Sequence, residues 1–231
     1  MRICLRRRSF LLNTGSCALS LSLGLAIAGC STSYQDHKVT LAEAEKLAPA
    51  LKPLPASVGT YYGPDFRSFA ATDTHKAGSS VDRFHFRIGK TSEDYLDQVF
   101  SALFERTEKV DRLPGTADDL LSKAGRNLDG TIVARIKSAS RTRVAFEFFL
   151  YDAEDRLLGS WNVSGSSGMS AATPKEVSKS LSAAIRDASA KLLVNFKEVH
   201  PVKSWLSRLG IDVMDESVNG PATIQAQRAP P

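Results

Sequence analysis

Apolar and polar residues alternate most regularly around residue 85, where Phe84, Phe86 and Ile88 are interleaved with Arg83, His85 and Arg87. A period of two sends one set of side chains into a core and the other into water, so this stretch predicts a strand. Three more strand signals follow at 131–137, 142–151 and 157–164, the middle one with Val144, Phe146, Phe148 and Leu150 on one face. The polar run from Asp152 to Arg156 is of hairpin length, and the three strands read as an antiparallel meander. Phe149 and Tyr151 fall on the opposite face of the middle strand, which is therefore partly covered or a binding surface.

Helical spacing is clearest after Thr173. That residue suits an N-cap, Pro174 the first helical position and Glu176 a reciprocal capping role, and Val177, Leu181, Ala184, Ile185, Ala188, Leu192 and Phe196 keep one face to about residue 197. A second helix is expected from Ser92 to about Arg106, its apolar face made by Tyr95, Leu96, Val99, Phe100, Leu103 and Phe104. Thr40 with Glu43 reads as a capping box for a helix over 40–51, with Leu41, Ala44, Leu47, Ala48 and Leu51 at helical spacing. Thr116 with Asp119 suggests a short helix to Ala124. Val202, Trp205, Leu206 and Leu209 mark a short amphipathic piece after Pro201. Residues 58–70 are aromatic and β-prone, but Pro64 confines them to an edge or broken strand. A loop is expected over 71–80, a further strand over 107–113, and a disordered tail from Ile211.

Strands and helices that do not alternate regularly predict an α+β fold: a mostly antiparallel sheet including the three-stranded meander, with helices packed on one face. Composition changes the picture mainly at the N-terminus. Arg2, Arg6, Arg7 and Arg8 precede a run of apolar residues diluted by Gly, Ser and Ala, with no acid before Cys30. Asn13, Thr14, Ser16, Ser20 and Ser22 interrupt that run, which argues for a targeting peptide over a spanning helix.

Ile27-Ala28-Gly29-Cys30 resembles the lipobox of bacterial lipoproteins. The resemblance implies cleavage after Gly29, diacylation of the Cys30 thiol and acylation of the new N-terminus, an anchor made of several chains. Ser31, where an aspartate favours retention at the inner membrane, implies the outer membrane, facing the periplasm. Inner-membrane anchoring and the cell surface are the alternatives. Arg7-Arg8-Ser9-Phe10-Leu11-Leu12 is similar to a twin-arginine export motif, or is a generic basic leader; it departs from the motif at Arg6 and Asn13. The expected organisation is signal peptide 1–29, lipid-anchored tether and short helix 30–57, periplasmic domain 58–200, and amphipathic piece with tail 201–231. Residues 31–39 read as the polar tether. The layout is similar to that of small envelope lipoproteins acting as accessory subunits of transport or assembly machines.

Cleavage also redraws the charge. The chain has 30 Lys and Arg against 25 Asp and Glu. The leader holds four arginines and no acid, so 26 face 25 after its removal, and no basic footprint for nucleic acid remains. Cys4 and Cys17 leave with the leader and Cys30 carries lipid, so neither a disulfide nor a cysteine metal site is expected. His37, His75, His85 and His200 lack metal-ligand spacing, no cofactor motif is present, and Gly165-Ser166-Ser167-Gly168 reads as a flexible loop, not a nucleophile elbow.

Three weaker constellations remain. Asp152, Glu154 and Asp155 are either cation ligands or solvated turn acids. Arg83, His85, Arg87, Arg135 and Lys137 either gather into a face for phosphate or lipid headgroups or are simply solvated. Phe149, Tyr151 and Trp161 either line a pocket or pack in the core. The expectation for the whole is a lipid-anchored binding module with an envelope protein partner and the membrane held through Cys30. The rival is a periplasmic hydrolase, recognisable by a histidine within reach of a serine and a carboxylate.

Overall fold

The expected meander is present in the structure, a computed structural model that describes residues 33–47, 52–115 and 127–211. Its strands are β6 (Gly130–Ser140), β7 (Arg143–Asp152) and β8 (Leu157–Ser166), paired antiparallel so that Phe148 faces Ala134 on one side and Trp161 on the other. Val144, Phe146, Phe148 and Leu150 are at most 1% exposed. The chain is α+β, with two sheets and the helices packed against them.

The large sheet has the order β5-β2-β6-β7-β8, in which β2 (Leu54–Tyr62) runs parallel to both β6 and β5 (Phe104–Lys109). This corrects the edge or broken strand expected from residue 58. β2 lies in the sheet interior because Pro64 falls beyond it, at the first turn of α1 (Pro64–Arg67), where a missing N–H breaks no ladder bond. The strand expected at 107–113 begins earlier, at Phe104, and ends at Lys109.

The second sheet, β1-β4-β3, was largely hidden from pattern reading. β4 (Ser80–Arg87) is the alternating strand already recognised. The loop expected at 71–80 is instead β3 (Ala70–Ala77), joined to β4 by a tight turn at Gly78, whose φ of 64° suits glycine. The tether expected at 31–39 is β1 (Ser33–Val39), parallel to β4. Both flanking strands are polar, and both form because β4, held by its buried Phe84 and Phe86, offers a ladder on each side. His37 stacks on Phe84 with ring centroids 5.2 Å apart.

Residues 40–47 are not helical, contrary to the helix expected over 40–51; residues 48–51 lie outside the described residues. The N–H of Glu45 donates to the Tyr95 hydroxyl (3.1 Å) and that of Leu47 to Gln98 Oε1 (2.7 Å), while the Thr40 carbonyl accepts from the Ser178 hydroxyl (2.7 Å). Backbone groups spent on side chains of neighbouring helices cannot also close a helical turn. Leu41, Ala44 and Leu47 still pack on the core, so their spacing is that of an irregular strap.

Helix α2 (Gly89–Leu103) starts three residues before Ser92, which is buried inside it, and its expected continuation to Arg106 belongs to β5. Helix α3 (Pro174–Asn195) forms the complete capping box between Thr173 and Glu176, and α4 (His200–Arg208) buries Val202, Trp205 and Leu206. The helix expected at 116–124, the leader and the tail beyond Ile211 lie outside the described residues. α3 lies along β8 and β7 with α2 beside it. Five rings run through the core: Phe148 on Trp161 (5.4 Å), Trp161 on Phe196 (6.0 Å), Phe196 on Phe104 (5.4 Å) and Phe104 on Trp205 (6.1 Å).

Strand and helix meet most closely at Gly165. The first half of the supposed Gly/Ser loop is the end of β8, and a Cβ at Gly165 would sit 2.0 Å from the Ala184 carbonyl oxygen and 2.5 Å from the Ala188 nitrogen. Gly165→Ala is therefore expected to cost about 1–3 kcal/mol, several degrees in melting temperature. An unshifted thermal melt would contradict this contact.

Candidate functional site

The alternation of β4 that buries Phe84 and Phe86 turns Arg83, His85 and Arg87 outward. The register of the small sheet sets Asp36 and Thr74 beside Arg83, Lys38 and Thr72 beside His85, and Tyr34 and Lys76 beside Val81. The Arg83 guanidinium stacks 4.0 Å above the Tyr34 ring. His85 donates from Nε2 to Asp36 Oδ1 (3.1 Å), and its Nδ1 lies 2.9 Å from the Thr72 hydroxyl, which donates to it when the imidazole is neutral. One end of this face opens into a groove of about 730 Å³ lined by Lys38, Thr72, His85, Arg87 and Thr91, with Val39, Leu41 and Phe86 as apolar wall.

The face carries Lys38, Lys76, Arg83 and Arg87 against a single acid, Asp36, whose carboxylate is engaged by His85. Such a surface suits an anionic group, whether carboxylate or phosphate. Arg135 and Lys137 do not join it. They lie on β6 in the large sheet, where Arg135 covers the Phe149 ring at 4.8 Å and Lys137 reaches Asn162 at 3.4 Å. The five residues of the expected face thus divide between two sheets, because β4 and β6 do not pair.

Phe149 and Tyr151 are half-buried on the side of the large sheet away from the helices. Trp161, one of the three aromatic candidates, points the other way into the core, so the three share no pocket. The Asp152–Arg156 turn spends its first acid internally: Asp152 Oδ1 accepts from the N–H groups of Glu154 (3.0 Å) and Arg156 (2.9 Å), and Oδ2 from Arg156 Nε (2.8 Å). Burial pushes this carboxyl up, but these bonds and the Arg156 charge outweigh it and hold it below the usual range. That carboxylate is committed to shaping the turn. His37 donates to Asp82 (3.1 Å), and His75 and His200 sit on β3 and at the start of α4. Among the described residues no three His, Cys, Asp or Glu are grouped to hold a metal ion.

Sequence reasoning missed one polar cluster. Glu93 and Asp97, one turn apart on α2, both meet Lys109 of β5, at 2.8 and 2.7 Å from its ammonium. Arg67 of α1 reaches Glu93 at 3.3 Å, and the Tyr62 hydroxyl of β2 donates to Asp97 at 2.9 Å. Burial pushes Glu93 up, yet the hydrogen bond and charge of Lys109, with the charge of Arg67, win and hold it below the usual range. Burial and the Asp97 charge push Tyr62 well above its ordinary value. With both acids neutralised the cluster clasps α1, α2, β2 and β5 together. The i, i+4 pair of acids on α2 was its visible signal; the partners come from distant segments.

Lys109→Met is expected to cost about 2 kcal/mol, below the range for a fully buried pair because Lys109 is half exposed. Glu93, depressed in the folded protein, contributes stability above the carboxylate range and loses it as pH falls through its folded value. Without Lys109 burial raises it instead, so the deficit should be largest near neutral pH and shrink on acidification. Denaturant melts at both pH values check the sign.

No protein family matches the sequence, and no curated protein does either. Among solved structures, the crystal structure of protein XCC0632 from Xanthomonas campestris, assigned to DUF330, is similar at a TM-score of 0.44 and 9% identity, over 69% of this chain and 92% of that one. The crystal structure of an uncharacterized protein is similar at 0.32 and 11% identity, over 71% of this chain and 99% of the other. These likenesses assign no specific function.

Proposed function

We propose that this protein is a lipoprotein of the cell envelope, anchored through Cys30 in the outer membrane and facing the periplasm, that serves as a binding or accessory module of an envelope transport or assembly system. The observation that carries the reading is Ile27-Ala28-Gly29-Cys30 at the foot of a basic and apolar leader. Two features support it. The cationic face of the small sheet, with its groove, suits capture of an anionic ligand, and the half-buried Tyr61, Phe149 and Tyr151 give the large sheet a second face for a protein partner. Among the described residues no helix is long and apolar enough to cross a membrane.

Cys30→Ala should abolish both the acyl mass on the mature chain and its recovery in the membrane fraction. A normally processed, fully membrane-bound mutant would refute the anchor. Photocrosslinkers at Phe149 and Tyr151 in intact cells should capture an envelope protein.

A second reading, hydrolysis, draws on Thr72, His85 and Asp36, a hydroxyl, imidazole and carboxylate in series with threonine in place of the expected serine. All three are exposed on a sheet face, where the same bonds brace β1, β4 and β3 together. Hydrolysis requires that the full chain turn over p-nitrophenyl acetate above buffer and that His85→Ala abolish the activity; the accessory-module reading expects no turnover in either.

A further inference from the structure

We propose that the outer face of the small sheet lies against the headgroup layer of the membrane that holds the Cys30 lipid, with anionic phospholipid headgroups as its ligand. This rests on the lipid anchor. Ser33 is the first residue of β1 and stands three positions after Cys30. Three residues reach at most about 10 Å when fully extended. Residues 33–39, which read as a tether, are fixed in the sheet, so the anchor has almost no free chain, and the start of β1 is held at the bilayer surface.

Only one side of that sheet is available to meet it. Phe84, Phe86 and Val39 turn the other side into the core. The outward side carries four cations, Lys38, Lys76, Arg83 and Arg87, and one acid, Asp36, which is bonded to His85. Lysine and arginine held within a Debye length of an anionic leaflet are attracted to it, and their effects accumulate. Tyr34, the second residue of β1 and 55% exposed, lies under the Arg83 guanidinium and follows Cys30 by four positions in the sequence. An aromatic ring paired with a cation is suited to the headgroup level. At the far end of the face, the groove between Lys38, His85 and Arg87 has room for a headgroup phosphate. Asp36 opposes the field, but its carboxylate is bonded to His85.

After signal cleavage Cys30 is the sole native cysteine, and its thiol carries the lipid, so an introduced cysteine can be labelled alone. Nitroxide labels on Thr74→Cys, in the middle of the face, and on Ser160→Cys, on the outer side of the large sheet, are to be compared in the full processed protein. It is reconstituted in vesicles of phosphatidylethanolamine with phosphatidylglycerol, or of phosphatidylcholine alone. Thr74 should be shielded from a water-soluble nickel quencher in the anionic vesicles only, by about tenfold relative to Ser160, the scale of one to two juxtamembrane cations. The pair Lys38→Glu and Arg87→Glu should remove that shielding while leaving the melting temperature and acyl mass unchanged.

Mass spectrometry of the same sample separates the two failures. An acylated chain whose Thr74 label is as open as Ser160 would overturn the docking and leave the anchor standing. A chain without acyl mass would overturn both. Shielding of Thr74 in cells but not in anionic vesicles would assign the face to a protein and overturn the lipid ligand.

Discussion

The row of Val144, Phe146, Phe148 and Leu150 on β7 constrains everything around it. All four are essentially without solvent contact, and no sheet can shield its own face. The row therefore requires α2 and α3 on one side, and the remaining elements are placed by that requirement. Phe66 of α1 stacks on Phe146 at 6.4 Å, and Phe100 of α2 meets Phe148 edge-on at 6.2 Å. Trp161 continues the ring contacts toward Phe196 and Trp205, which fixes α4. Burial of these large rings contributes on the order of 2–3 kcal/mol each before entropy is counted, more than any surface pair in the molecule.

The same physics makes the cationic face. β4 contributes Phe84 and Phe86 to the core, and because successive side chains alternate, Arg83, His85 and Arg87 have to point away from it. Neighbouring strands in register then add Lys38 and Lys76 to the outward side. A cationic surface arises here as the necessary reverse of an aromatic one, and it is held rigid by the core on its other side. The outward bonds among Asp36, His85 and Thr72 cross all three strands and keep the register of two polar flanking strands that have little apolar area of their own.

Legibility followed the apolar periodicities. The meander, β4, the apolar face of α2, the capping box of α3 and the amphipathic α4 could all be read directly, because each buries its own stripe of side chains. β1, β3 and the strap over 40–47 could not. Their side chains are mostly polar and their order is borrowed: β1 and β3 from the free edges of β4, the strap from Tyr95, Gln98 and Ser178. Of the seven residues read as a binding face, Arg83, His85 and Arg87 come together, while Arg135, Lys137, Phe149 and Tyr151 belong to the other sheet. Which strands pair is not written in any single strand.

By itself the sequence determined the α+β class, the Thr173–Glu176 capping box and the inward and outward sets of each strongly patterned strand, since these depend on neighbours a few residues away. It also carries Ile27-Ala28-Gly29-Cys30, a linear motif on which the proposed anchor rests. Only the tertiary structure decided that β2 is interior, that the supposed tether is a strand, that Lys109 bridges Glu93 and Asp97, and that the residues of the expected basic face divide between two sheets. Those outcomes depend on groups from distant segments that share a ladder or a buried charge, and burial leaves such groups no partner except one another.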